Sequence, residues 1–251
     1  QDNQTRQNTW VSNYYGNSNN PVGRLSAPDF LRKDVALGTN ILFKKTDGRA
    51  YESVEEDASR YLVRKYAYTG VSYTTQNVTD EKSLKLATSM RANSYANWIF
   101  YRLSDMLLIK AEALIQRSPE DYPAAFTMIN IVNKRANDVT SVSRSDTLKM
   151  ADYIQTKAAM EDLLMEERHR EFLFEGKRWF DLVRVSRRDG NTNRLVTIAS
   201  RKYIENVNAI KIKLADPNII YFPYAKSELK VNPLLVQNPA YGKDEDSELT
   251  K

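Results

Sequence analysis

Met165-Glu-Glu-Arg-His-Arg-Glu-Phe-Leu-Phe-Glu-Gly-Lys-Arg-Trp-Phe-Asp-Leu-Val-Arg184 is the stretch that decides how this chain is read. Glu167, Glu171 and Glu175 recur every four residues, so on a helix they line one face. An apolar stripe of Met165, His169, Phe172, Gly176, Trp179 and Val183 steps by three or four, the spacing of a buried face. Like charges four apart destabilise a helix unless cations neutralise them, and Arg168, Arg170, Lys177 and Arg178 are interleaved here. The pattern suits a helix clamped to its neighbours by ion pairs, and it also leaves a carboxylate catalyst open. On the clamped reading, Glu167, Glu171, Arg178 and Asp181 are largely buried and paired with Arg102, Asp105 or Arg184 from neighbouring helices.

The run E-R-x-x-E-x-x-F-E-G-x-R-W-F-D-L-V-R, Glu167 to Arg184, resembles the signature of the RagB/SusD family of outer-membrane nutrient-binding lipoproteins of Bacteroidetes. Three other segments agree in the family's order. Tyr101 to Ala113 (YRLSDMLLIKAEA) resembles its R-L-A-D-x-L-L-x-x-A-E-A helix. Ile129 to Ala136 (INIVNKRA) resembles its I-N-x-V-R-x-R-A helix. Phe222-Pro223, Glu228, Asn232-Pro233 and Gln237-Asn238-Pro239-Ala240-Tyr241 resemble its closing F-P-I-P-x-x-E, N-P and Q-N-P-G-Y. Ser104, Asn133 and Ala240 stand where the family usually has Ala, Arg and Gly. The resemblance implies a mainly α fold: a tetratricopeptide-like scaffold of helical hairpins with long irregular loops and a few short strands. It also implies a C-terminal part of a longer protein, whose leader, lipidated cysteine and first half lie outside this chain.

At 251 residues with 41% apolar content, the chain can bury a core. No apolar run approaches the roughly 18 residues of a membrane helix. With no cysteine there is neither a disulfide nor a thiolate site. The net charge of +5 is spread thinly, with no block of clustered Lys and Arg, which argues against a nucleic-acid partner. Arg184 to Arg188 (RVSRR) is the densest basic stretch, and cations at a helix C-terminus complement its dipole.

Two parts divide at about residue 97. Residues 1–97 are loop-rich, with turn signals at Asn17-Ser18-Asn19-Asn20-Pro21 and a hairpin tip expected at Asp47-Gly48. Arg60 to Tyr66 reads as extended, and Thr69 to Asn93 as a loop excursion. Residues 98–251 are expected to be the helical region with its closing tail. Tyr101 to Gln116 predicts a helix with Leu103, Met106, Leu107, Ala111 and Leu114 on one side. Ser118 to Asp121 breaks it, and Pro123 opens a second helix to about Arg135, burying Ala125, Met128, Ile129, Val132 and Ala136. Together they make an antiparallel αα-hairpin. A third helical region is expected over 147–174, then a shorter helix to about Arg184. Ala209 to Leu214 alternates like a strand, and Ile219 to Tyr224 is a second candidate.

His169 is the sole histidine, so histidine-rich metal sites are excluded and a Ser-His-Asp triad would demand this one residue, whose place on the stripe suits packing. The spacing of the glutamates does not suit a glycosidase, because that chemistry places carboxyls across a substrate from each other. The Asp244-Glu245-Asp246 run suits a solvated tail better than a cation site. No cofactor is implied. The functional promise lies in Trp10, Tyr14 and Tyr15 with Asn13, Asn17, Asn19 and Asn20. Flat rings stack on sugar C–H faces and amides pair with hydroxyls, so Trp10, Tyr14, Tyr15, Asn13 and Asn19 are the candidate ligand-binding residues. The same rings also suit pinning loops onto helices, and the sequence does not choose. Trp98 and Trp179 are expected to be structural.

By resemblance, the protein is a non-enzymatic surface subunit. It would sit at the outer membrane through a lipid anchor absent from this chain, cap a SusC-type TonB-dependent transporter and deliver an oligosaccharide. A peptide-capturing RagB-like member, a tetratricopeptide-like interaction scaffold and a glycosidase working from Glu167 and Glu171 are the alternatives.

Overall fold

The computed structural model describes residues 14–15, 24–25, 42–43, 47–57, 60–67, 72–73, 86–87, 98–137, 148–203 and 205–241. The chain forms two compact units, Gln1–Arg178 and Trp179–Lys251. The architecture is mainly helical, as expected.

In the first unit, α1 (Gly48–Ser53) leads into an antiparallel pair, β1 (Val54–Asp57) and β2 (Arg60–Val63), with Val54 opposite Val63 and Asp57 opposite Arg60. The turn signal at Asp47-Gly48 therefore starts a helix and not a hairpin: Asp47 Oδ1 accepts from the Arg49 backbone N–H at 3.0 Å. Inside the expected loop excursion, β3 (Ser72–Tyr73) and β4 (Leu86–Ala87) form a second short antiparallel pair.

Helices α2 (Leu103–Gln116) and α3 (Tyr122–Asn137) make the expected hairpin. Asp121 starts α3, its carboxylate accepting from Ala124 N at 3.1 Å, and Pro123 sits in the first turn, where its missing N–H costs nothing. A 3₁₀ turn at Met150–Asp152 precedes α4 (Lys157–Glu171), which is capped by the Thr156 side chain accepting from Ala159 N. One apolar core joins Leu108, Ala111 and Ile115 of α2 to Ala125, Ile129 and Val132 of α3 and to Met160, Leu163 and Leu164 of α4. The expected face of α2 is rotated. Leu103 is 75% exposed and Met106 48%, while Ser104 and Asp105 are buried.

The third helical region ends earlier than its stripe suggested. Phe174 (φ +63) and Gly176 (φ +74) turn left-handed, which breaks Met165 to Val183 into two helices. The second helix, α5 (Arg178–Asp189), leads into the second unit, where α6 (Asn193–Ala199), α7 (Val207–Ala215) and α8 (Lys226–Val231) follow. Ala209 to Leu214 lies in α7, not in a strand. Its Ala, Lys and Leu are good helix formers, and six alternating residues are too few to fix a period. Ile219 and Ile220 close a 3₁₀ turn, and 221–225 run on outside any strand. That run is held from the tail. Gln237 accepts from Tyr224 N at 3.0 Å and donates to Tyr224 O at 3.1 Å, and Asn238 donates to Asn218 O and Tyr221 O. The Q-N-P motif thus acts as an amide clamp.

Candidate functional site

Two arrangements in the first unit gather the residues singled out in the sequence: an ion cluster on α4 and an aromatic cluster on the turn that follows it. Met160, Leu164, Glu167 and Glu171 step along α4 by three or four, so the buried stripe changes from apolar to anionic along the helix. Glu167 and Glu171 are 0% and 2% exposed. Glu171 receives three guanidinium groups: Arg49 at 2.9 Å, Arg135 at 2.6 and 2.8 Å, and Arg102. Glu167 accepts from Arg49 at 2.8 Å, Asn133 at 3.0 Å and Arg170 at 3.0 Å. Glu175 accepts from Lys65 at 2.5 Å and Arg102 at 2.9 Å. Arg102 also donates to the Glu171 carbonyl at 2.6 Å, filling an acceptor that the helix end leaves open. Phe172 lies beneath the cations, with Arg102, Arg168 and Lys177 each about 5 Å from its ring centre.

The pairing expected for Glu171 with Arg102 is present, whereas Asp181 pairs with Arg184 at 3.0 Å within α5 and not from a neighbouring helix. Asp105 pairs with Lys177, and half-buried Arg178 donates to the Met165 carbonyl at 2.9 Å. The central partner is one that the sequence reading does not supply. Arg49, buried and chelated by Asp47 at 2.7 and 2.9 Å, bridges Glu167 and Glu171 through one nitrogen. The one local sign is Asp47 two residues before Arg49, a spacing that suits a chelated arginine.

The charges are fixed as charges. Burial alone would raise the Glu171 carboxyl, but Arg102, Arg49 and Arg135 outweigh it and hold it at about 2. Glu167 is likewise lowered: burial opposes, while Arg49 and Arg170 prevail. Burial pulls the Arg49 guanidinium down, and Glu167 and Asp47 push it above its ordinary value. For Lys65 burial dominates and lowers it despite Glu175. A glycosidase acid must keep its proton near neutrality. Glu167 and Glu171 are ionised, and a guanidinium nitrogen occupies the space between them, so this pair does not perform that chemistry.

The aromatic cluster sits one turn further on. Trp98 stacks on Tyr66 at 5.1 Å and 14°, and Tyr66 meets Tyr15 edge-on at 5.4 Å. A Cβ on Gly176 would lie 3.3 Å from Trp98 Cζ2, so this glycine supplies both a left-handed backbone and room for the ring. The Tyr15 hydroxyl donates to the Phe174 carbonyl at 2.9 Å. Burial and the nearby Tyr66 push that hydroxyl up to about 12, so it stays a donor at neutral pH.

Tyr15 is 4% exposed, and its ring meets the protein rings of Tyr66 and Trp98. Tyr14 is half-buried beside it, while Trp10, Asn13 and Asn19 lie outside the described residues, as do Asn17 and Asn20. The Asp244-Glu245-Asp246 run is also outside them. Trp98 is a packing residue as expected, and Trp179 stacks on Phe222 at 5.9 Å. His169 is half-buried on α4. Among the described residues, no group of His, Asp and Glu is placed to hold a metal ion, and no helix is long and apolar enough to cross a membrane.

The SusD family model matches residues 3–241, and the chain belongs to that family. It is 34% identical over 114 residues to SusD-like protein P38 of Formosa agariphila, covering 43% of this chain and 22% of that protein. Two crystal structures share the fold. A SusD superfamily protein from Bacteroides fragilis gives a TM-score of 0.51 at 21% identity, over 96% of this chain and 50% of its own. A SusD superfamily protein from Bacteroides vulgatus gives 0.50 at 21% identity, over 88% of this chain and 42% of its own. The chain thus spans half or less of each of these relatives.

Proposed function

We propose that this protein is the nutrient-binding subunit of a SusC/SusD-type uptake system, capturing an oligosaccharide at the cell surface for a TonB-dependent transporter. Membership of the SusD family across residues 3–241 carries this reading. Outer-membrane attachment by a lipid anchor and the SusC-type partner belong to the same proposal. The ion cluster adds a physical argument: Glu167 and Glu171 are consumed by structural pairing, which leaves recognition to rings and amides. Trp10, Tyr14, Asn13 and Asn19 are the ligand residues we propose, with Tyr15 packed beside Tyr14.

Glycan-array screening followed by calorimetric titration against oligosaccharides and peptides tests this. Oligosaccharide binding, weakened about tenfold to a hundredfold in Trp10→Ala with the melting temperature unchanged, is the expected result. That size follows from about 1–3 kcal/mol for stacking on an aromatic ring, by analogy with nucleic-acid bases. Peptide-only binding would replace the glycan reading with a RagB-like one.

A further inference from the structure

The Tyr15 contacts form a tie with a direction. The residue that donates is 159 positions from the carbonyl that accepts, so a single neutral hydrogen bond joins the beginning of the chain to the turn after α4. That turn is built to receive it. Phe174 holds a left-handed backbone, a conformation unfavourable for a residue with a Cβ, and this places its carbonyl on the Tyr15 hydroxyl. Gly176 opens the seat for Trp98, whose stack with Tyr66 covers the Tyr15 ring. A third tie is in the backbone, where Leu25 N donates to Tyr14 O at 3.0 Å. Val63 and Ala67 complete the floor.

We infer that Tyr15 is a positioning residue: through the Phe174 carbonyl it fixes the candidate ligand residue Tyr14 to the turn that closes α4. The inference rests on the proposed function for its link to ligand, but not for the tie itself. Tyr15 contributes through position because its own ring is covered. The half-buried ring of Tyr14, one residue away, is the nearest described candidate that a ligand could reach.

Tyr15→Phe keeps the ring and removes only the hydroxyl, and Tyr153→Phe, in the helical core beside Phe126, is the control. Hydrogen exchange on the full chain decides the tie. In Tyr15→Phe, the peptide carrying Tyr14 and Tyr15 exchanges about tenfold faster, peptides from α2, α3 and α4 change less than twofold, and Tyr153→Phe leaves the Tyr14–Tyr15 peptide as in wild type. An unchanged rate in Tyr15→Phe, or a parallel rise in all helices, overturns the inference. In the same proteins, affinity for the best array oligosaccharide falls about tenfold in Tyr15→Phe. Faster exchange with unchanged affinity overturns the positioning role. A wild-type chain that binds no array glycan overturns the proposed function, and the exchange result still decides the tie.

Discussion

Helix α2 buries Leu108, Ala111 and Ile115, while the second half of α4 buries Glu167 and Glu171 to the same degree. Both helices present a stripe of three- and four-residue steps, and both stripes leave water. The consequences differ. An apolar stripe is satisfied by any well-packed apolar neighbour, since the hydrophobic effect has no direction. A carboxylate stripe is satisfied only by donors at specified points, and here they come from Arg49, Lys65, Arg102 and Arg135, scattered over the sequence. The apolar half of the unit holds neighbours together. The anionic half chooses which distant segments dock: it brings residues 47–49 onto α4, and Glu175 in the turn beyond brings Lys65.

The sharpest break of this comparison is Arg49→Met. It strands Asp47 and takes one of the cations from each of Glu167 and Glu171, and removing one partner of a buried pair costs roughly 3–5 kcal/mol. Urea denaturation checks it; a loss below about 0.5 kcal/mol would mean the cluster relaxes around the gap and specifies nothing. The apolar side is sharpened by a pair. Leu164→Ala, at 1% exposure in the core, is expected to lose about 2–5 kcal/mol, whereas Leu103→Ala, at 75%, loses less than about 0.5. Equal losses would mean the face of α2 is assigned wrongly.

The hairpin was legible because its signals are local. The Ser118-Pro119 break, Asp121 and Pro123 lie beside the residues they govern, and Ala125, Ile129 and Val132 repeat at helical spacing. The rotation of α2 was not, because Ser104 and Asp105 look like surface residues until Arg102 and Lys177 are found against them. The buried state of Glu171 followed from a single helix, but its link to Arg49 spans 122 residues that no periodicity connects. The covering of the Tyr15 ring was hidden for the same reason. A tyrosine among asparagines reads alike whether it faces a sugar or the carbonyl of Phe174. The rings themselves were visible in the sequence, and which of them is covered was not.

The signature carboxylates hold the fold as charges. The most direct test is unfolding free energy for wild type and Glu171→Gln, measured from pH 7 down to pH 2. In the folded state Glu171 is depressed from 4.5 to about 2, so its contribution is whole above pH 4.5 and disappears as pH falls through about 2. At about 1.4 kcal/mol per unit this amounts to roughly 3 kcal/mol. The account predicts a gap of about that size between the two proteins at pH 7, constant to about pH 4.5 and closing towards pH 2. Parallel curves, or a Glu171→Gln protein as stable as wild type that has lost glycan binding, would contradict it.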